Sequence, residues 1–198
     1  MPGRLVLASA SPRRARLLRE LGIDFDVVVS NVDEALHPGE RGELAAERLA
    51  RAKALAVAAS RPGPVLAADT VVLCDGELLG KPADGDDARR MLRRLSGHTH
   101  EVVTGVCLAW QERVLSARDS TAVTFAALSP AEIEWYVSTG EPMDKAGAYH
   151  VDGRGALFIR GVTGSPSNVA GLPVRLVYTL AAELGLRLGP PPLETPRG

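Results

Sequence analysis

The sequence predicts an α/β fold built on a mixed sheet. Strand and helix signals alternate along most of the chain, as crossover connections require. Two pairs of strand-like runs are instead joined by tight polar turns, at Asp75-Gly76 and Gln111-Glu112-Arg113, so part of the sheet must be antiparallel. With 198 residues, 45% of them hydrophobic, the chain can bury a proper core as one domain with two lobes.

The elements follow in order. An apolar strand around Leu5 to Ala8 runs into small hydroxyl residues and then Pro12, which suits the first turn of a helix. Leu17, Leu18 and Leu21 give that helix its apolar stripe, and Gly22 ends it. Phe25 to Val29 reads as a second strand. Glu43 to Ser60 is a long alanine-rich helix with Ala45, Leu49, Ala52, Ala56 and Ala59 at helical spacing. Pro64 to Cys74 is a strongly apolar strand whose hairpin returns through Glu77-Leu78-Leu79. A helix from about Asp84 to Ser96 carries Ala88, Met91, Leu92 and Leu95 on one face. Two long strands, Glu101–Trp110 and Val114–Ala127, come next. Ser129-Pro130-Ala131-Glu132 is a capping box that starts a helix ending at Gly140. A glycine-rich region, Gly147 to Gly164, contains a strand at Ala156–Ile159. The last helix carries Leu176, Val177, Leu180, Ala181 and Leu184. The run from Gly189 onward is proline-rich and reads as a disordered tail over 189–198.

Charge and composition exclude several classes. A net charge of −1 offers no general attraction to nucleic acid or to anionic membranes. Aromatics at 4% argue against a base-stacking single-strand binder. The apolar run at Leu5–Ala8 is shorter than the ~7–15 residues of a signal peptide, and nothing approaches the ~20 of a membrane span. Cys74 and Cys107 sit in apolar strands without metal-ligand spacing, so they read as buried thiols in a reducing cytoplasm. The phosphate loop G-x-x-x-x-G-K-[ST], the dinucleotide fingerprint and the G-x-S-x-G elbow are all missing. His98 and His100 have no third ligand beside them and read as surface residues; His37 and His150 are isolated.

Chemistry concentrates in a few short motifs. Ser9 to Arg14 occupy a strand-to-helix corner where backbone N–H groups, serine hydroxyls, a helix N-terminus and two guanidinium groups converge, as a polyphosphate needs. Asp69 interrupts an apolar strand, and an ionised carboxylate there needs a partner or a metal. The hairpin folds Lys81, in Gly80-Lys81-Pro82, back toward the strand of Asp69. Asp33-Glu34 could join Asp69 around a hard divalent ion, since Mg²⁺ takes one or two carboxylates plus phosphate oxygens and water. Asp144-Lys145-Ala146-Gly147-Ala148-Tyr149 and Gly164-Ser165-Pro166-Ser167-Asn168-Val169 are polar loops beside apolar strands, a usual place for site residues.

Taken together, these segments, with Leu95-Ser96-Gly97-His98-Thr99-His100 and Ser167-Asn168-Val169-Ala170-Gly171-Leu172-Pro173, resemble the Maf family of nucleoside triphosphate pyrophosphatases. The resemblance runs from Leu5 to about Leu186. It implies a single catalytic domain over 1–188: an elongated mixed sheet with helices on both sides and two lobes around a cleft, similar to the house-cleaning inosine triphosphatases. It also implies hydrolysis of dTTP or UTP to the monophosphate and pyrophosphate, with Mg²⁺ or Mn²⁺, by a homodimer. Carried over by position, Asp69 is the catalytic proton acceptor, with Glu34 and Lys81 as further catalytic groups. Ser9, Arg13, Arg14 and Lys53 bind substrate, Glu34 and Asp69 hold the metal, and Arg13, Thr70 and Asp152 bear on substrate choice.

One position departs. The pyrimidine branch usually has glutamine where this chain has Asp152, and an ionised aspartate accepts hydrogen bonds without donating any. The choice of base therefore stays open to purine or modified nucleotides. The family's association with septum formation leaves a nucleotide-binding regulator of division as the other reading.

Overall fold

The computed structural model describes residues 3–37 and 39–188, so the proline-rich run 189–198 lies outside the described residues. Seven strands form one mixed sheet: β1 (Leu5–Leu7), β2 (Phe25–Val27), β3 (Val65–Cys74), β4 (Glu77–Leu79), β5 (Thr99–Trp110), β6 (Arg113–Phe125) and β7 (Ile159–Thr163). Their order is β2-β1-β3-β5-β6-β7, with β4 beside β3. β1 runs parallel to β2 and β3, and the remaining pairs are antiparallel. Both expected hairpins form. The first needs left-handed backbone at both turn positions, and Asp75 and Gly76 supply it with φ of 48° and 79°.

β3, β5 and β6, of 10, 12 and 13 residues, are long enough to carry a separate apolar core at each end of the same sheet face. At one end, helices α1 (Pro12–Glu20) and α6 (Val174–Glu183), the latter preceded by the short α5 (Pro166–Val169), bury Leu18, Val177 and Leu180 against Leu7, Leu66 and Val106. At the other, α3 (Gly85–Leu95) and α4 (Pro130–Ser138) bury Met91, Leu92, Ile133 and Tyr136 against Val72, Val102 and Phe125. The opposite face belongs to α2 (Gly42–Ala58), whose Ala50, Ala54 and Val57 cover Val65, Ala67 and Cys107. Strand alternation explains the division: even-numbered residues of β3 face α1, α6, α3 and α4, and odd-numbered ones face α2. Both cysteines are buried free thiols.

α2 lies unusually close to the sheet because its contact residues are alanines and the strand beneath it has a glycine. A Cβ on Gly105 would fall 2.4 Å from the carbonyl carbon and oxygen of Ala46.

β3 also has a notch. β1 pairs with it only as far as Leu66, and β4 joins only from Val72. Between them, residues 67–71 have β5 on one side and no strand on the other.

Several sequence expectations change. The buried face of α2 keeps Ala45 and Leu49 but then runs through Ala50, Lys53, Ala54 and Val57, which leaves Ala56 and Ala59 exposed. The strand expected at Ala156–Ile159 is a 3-10 turn over Arg154–Phe158, and β7 starts only at Ile159. The Glu141 carboxylate accepts hydrogen bonds from the backbone N–H groups of Arg154 and Gly155, at 3.2 and 3.1 Å, which coils this segment and drops Phe158 into the core. His100, expected on the surface, is 2% exposed. It faces inward in register with Val123, its Nε2 lies 2.9 Å from the Tyr149 hydroxyl, and Phe125 meets its ring edge-on. His98 is exposed, as expected.

Two measurements test this packing. Gly105→Ala should cost about 1–3 kcal/mol through overpacking against rigid helix backbone and lower the melting temperature. Gly161→Ala, where an added Cβ meets nothing within 4 Å, should stay within about 0.5 kcal/mol of wild type. Burial pushes the His100 pKa from 6.5 down to about 4. As pH falls through that window the unfolded chain takes up a proton that the folded chain refuses, so stability drops by roughly 3 kcal/mol. His100→Gln, which keeps a hydrogen-bonding side chain but cannot titrate, should lose correspondingly less stability than wild type over the same pH range in thermal melts.

Candidate active site

The notch in β3 opens into a cleft of about 610 Å³, within the usual range for small-ligand sites. Its walls come from the β1–α1 corner, the loop before α2, β3, the turn after β4, and the 144–151 segment. Ser9, Arg13, Arg14, Glu34, Lys53, Asp69, Thr70 and Lys81 all line it. Asp152 is not among the lining residues. It follows Val151, which does line the cleft, and its Oδ2 is paired with Arg16 of α1.

On the α2 side of β3, one ammonium is shared by two carboxylates. Lys53 is 7% exposed, and its Nζ lies 2.6 Å from Asp69 Oδ1 and 2.7 Å from Glu34 Oε1. A lysine this buried needs such company to remain charged. Burial acts to raise the Glu34 pKa, but the hydrogen bond and charge of Lys53, with Lys81 and Arg14 behind it, hold it below the usual 4.5. Asp33 takes no part; its Oδ1 accepts from the Ala35 N–H at 2.9 Å, in a local turn.

On the other side of β3, the Arg14 guanidinium is spread over three acceptors: Gly171 O at 2.8 Å, Ser9 Oγ at 3.0 Å and Thr70 Oγ1 at 3.0 Å. Burial lowers its pKa to about 10, with Asp69 opposing the shift, so it remains a cation at neutral pH. Arg13, one residue earlier, is turned toward the second lobe, where Asp144 and Asp152 partly offset the lowering of its pKa by burial. Among the described residues neither Arg13 nor Lys81 has a hydrogen-bonded or ion-paired partner, so two cations in this cleft remain available to an anion. The first turn of α1, with Pro12 at its start, adds the positive end of a helix.

No group of three or more His, Cys, Asp or Glu stands together among the described residues. Glu34 and Asp69 are hard oxygen donors close enough to share one ammonium. That donor set fits a hard divalent cation whose remaining ligands are phosphate oxygens and water.

Sequence reasoning missed three groups. Lys145, 9% exposed, lines the cleft and pairs with Asp144. Thr104 is fully buried beneath Thr70, with the two Oγ1 atoms 3.0 Å apart. Asn168, also fully buried, donates from Nδ2 to Val102 O and Thr121 Oγ1 at 2.8 and 2.9 Å. The sequence signals for Lys145 and Asn168 were the polar loops and resemblance segments that contain them, with no role assigned to either; Thr104 had none.

Residues 4–184 match the family model described as Maf-like protein. The chain belongs to the Maf-like family. Curated relatives span nearly the whole of this Maf-like chain. A dTTP/UTP pyrophosphatase of Anaeromyxobacter sp. (strain Fw109-5) is 53% identical over 100% of the chain and 96% of the relative. One of Myxococcus xanthus (strain DK1622) is 53% identical over 93% and 94%. Among solved structures, the Staphylococcus aureus Ham1 protein is 12% identical, with a TM-score of 0.50 over 92% of this Maf-like chain and 100% of the other. That last likeness is one of fold.

Replacing Lys53 tests the shared ammonium directly. In Lys53→Met the Glu34 carboxyl should titrate at higher pH, read by carbon NMR of the labelled side chain. The Glu34–Lys53 pair stabilises the fold above about pH 4.5 and loses that effect as pH falls through the depressed value. The variant should therefore show a shallower acid-side decline in melting temperature. An unmoved Glu34 titration would mean that Lys53 does not hold it down.

Proposed function

We propose that this chain hydrolyses nucleoside triphosphates, dTTP and UTP foremost, to the monophosphate and pyrophosphate by water attack on the α-phosphorus. The observation that carries the reading is the pairing of two opposite charge sets across one strand edge. Two carboxylates, Glu34 and Asp69, stand on one side of β3 and an anchored arginine on the other, with Arg13 and Lys81 unpaired in the same cleft. A site for binding alone has no need of a carboxylate held beside a phosphate cradle. Relatives named dTTP/UTP pyrophosphatase, 53% identical over nearly their whole length, support the choice of reaction and substrate.

Each residue has a role in this reading. Arg14, Arg13, Lys81 and the first turn of α1 neutralise the triphosphate, with Ser9 supporting Arg14. Lys53 keeps Glu34 ionised and holds Asp69 and Glu34 together. A divalent cation, Mg²⁺ or Mn²⁺, bound by Glu34 and Asp69 supplies positive charge at the phosphates and makes water more acidic. Asp69 Oδ1 is engaged by Lys53, which leaves Oδ2 to take a proton from the attacking water. As the new O–P bond forms at the α-phosphorus, the bond to the α–β bridging oxygen breaks, and the charge on departing pyrophosphate is met by Arg14 and Lys81. Thr70 acts through Arg14. Asp152 bears on base choice together with the Arg16 that holds it.

The enzyme in this reading is a cytoplasmic homodimer acting on free nucleotides, without nucleic-acid or membrane partners. The net charge of −1 agrees, and no described helix is long and apolar enough to cross a membrane.

Pyrophosphate release from dTTP, UTP, CTP, GTP, 7-methyl-GTP and ITP, with Mg²⁺ or Mn²⁺, tests the proposal. We expect turnover of dTTP and UTP, and Asp69→Asn should reduce it by ~10²–10⁴-fold, the usual loss for a general base. Turnover of purines alone would keep the reaction and change the substrate. Tight binding of nucleotide without turnover would indicate a regulator instead.

A further inference from the structure

Resting on that phosphate-binding reading, we propose that Thr104 is a positioning residue: it fixes the aim of Arg14 through Thr70, in a hydroxyl relay that ends on the Asn168 carbonyl. Thr104 lies in the middle of β5, directly opposite Thr70 in the strand register, and has no exposed surface. A hydroxyl in so apolar a strand is costly unless it is fully bonded.

Donor arithmetic orients the relay. Arg14 can only donate, so Thr70 Oγ1 accepts from Arg14 Nη2 at 3.0 Å. A backbone carbonyl can only accept, so the single Thr104 hydroxyl hydrogen goes to Asn168 O at 3.1 Å. The Thr70 hydrogen then goes to Thr104 Oγ1 at 3.0 Å, its one acceptor among the described residues. Both hydroxyl hydrogens therefore point away from the cleft, and Thr70 and Thr104 each have one defined orientation. The far end cannot drift, because the Asn168 side chain is pinned by Nδ2 to Val102 O, two residues along the same strand.

The consequence falls on Arg14. Three of its five N–H donors are committed to Gly171 O, Ser9 Oγ and Thr70 Oγ1, leaving two for an anion. Their direction is set by the three anchors, of which two are rotatable hydroxyls: Ser9 Oγ also accepts from the neighbouring Ser11 N–H at 3.2 Å, whereas Thr70 Oγ1 is oriented from another strand, by Thr104. Without Thr104 the Thr70 hydroxyl loses its acceptor and is free to turn, and the guanidinium loses a fixed third contact.

The test is steady-state pyrophosphate release from dTTP by the full chain, together with calorimetric binding of tripolyphosphate. Thr104→Val, nearly isosteric, should lower kcat/KM about tenfold and weaken tripolyphosphate binding by a similar factor, the effect of about one net hydrogen bond. Thr104→Ser should restore both. In an Arg14→Lys background, which has no guanidinium to aim, adding Thr104→Val should change little, whereas a purely structural role would add its full cost there. Circular dichroism checks folding, and Thr104→Ala replaces the valine variant if that one does not fold. Wild-type kinetics and binding in the valine variant, or an undiminished effect in the Arg14→Lys background, would overturn the proposal. Should the wild type release no pyrophosphate from any triphosphate, the pyrophosphatase reading falls, and the tripolyphosphate series still decides the relay. A wild type that binds no tripolyphosphate overturns the relay as well.

Discussion

Much of this structure follows from giving one lysine two anionic partners where little water reaches it. Lys53 projects from the middle of α2 toward the sheet and meets two carboxylates that come from separate parts of the chain, β3 and the loop before α2. Removing an ammonium from water costs several kcal/mol, and only close, well-directed anions offset it. The helix must therefore lie near enough for a lysine side chain to reach Asp69. The alanines of α2 and the bare Cα of Gly105, which pairs directly with Asp69 across the sheet, allow that approach. In return the two carboxylates are held side by side.

The second face of β3 has the complementary problem. Two apolar cores meet there, one under α1 and α6 and one under α3 and α4, and between them run Thr70, Thr104, Thr121 and Asn168. This polar seam would be expensive with its hydroxyls unbonded. It is instead closed by the 165–171 segment, which offers carbonyls to Thr104, Thr121 and Arg14. The seam thus joins the lobes and positions a cation at once.

Local chemistry made a good part of this legible in the sequence. The β1–α1 corner was readable because Pro12 and the apolar stripe of α1 are local signals, and Asp69 because it breaks an apolar run. The hairpin at Asp75-Gly76 was readable from its turn residues. The rest depends on contacts between segments far apart. His100 looks like surface because its neighbours are polar, yet strand alternation turns it inward beside Phe125 and Tyr149. The 154–158 segment has strand-like composition, but a carboxylate at Glu141 claims the amides that a ladder would use. Asn168 lies in a loop of small residues, and its burial is set by three strands that no local pattern names. Asp152 carries a charge that the sequence shows and a partner, Arg16, that it does not.

The gap along β3 between β1 and β4 has one more consequence. An unpaired strand edge is an invitation to a foreign strand, and proteins usually blunt such edges with charge or cover. Here the bare stretch is only the five residues from 67 to 71, closed at each end by a native strand of its own sheet. An incoming polypeptide would need a longer run of free ladder to gain a foothold, and it would have to bury the Lys53, Glu34 and Asp69 charges on the way. The recess that admits a slender, highly charged small molecule therefore also guards this unpaired stretch of strand against aggregation.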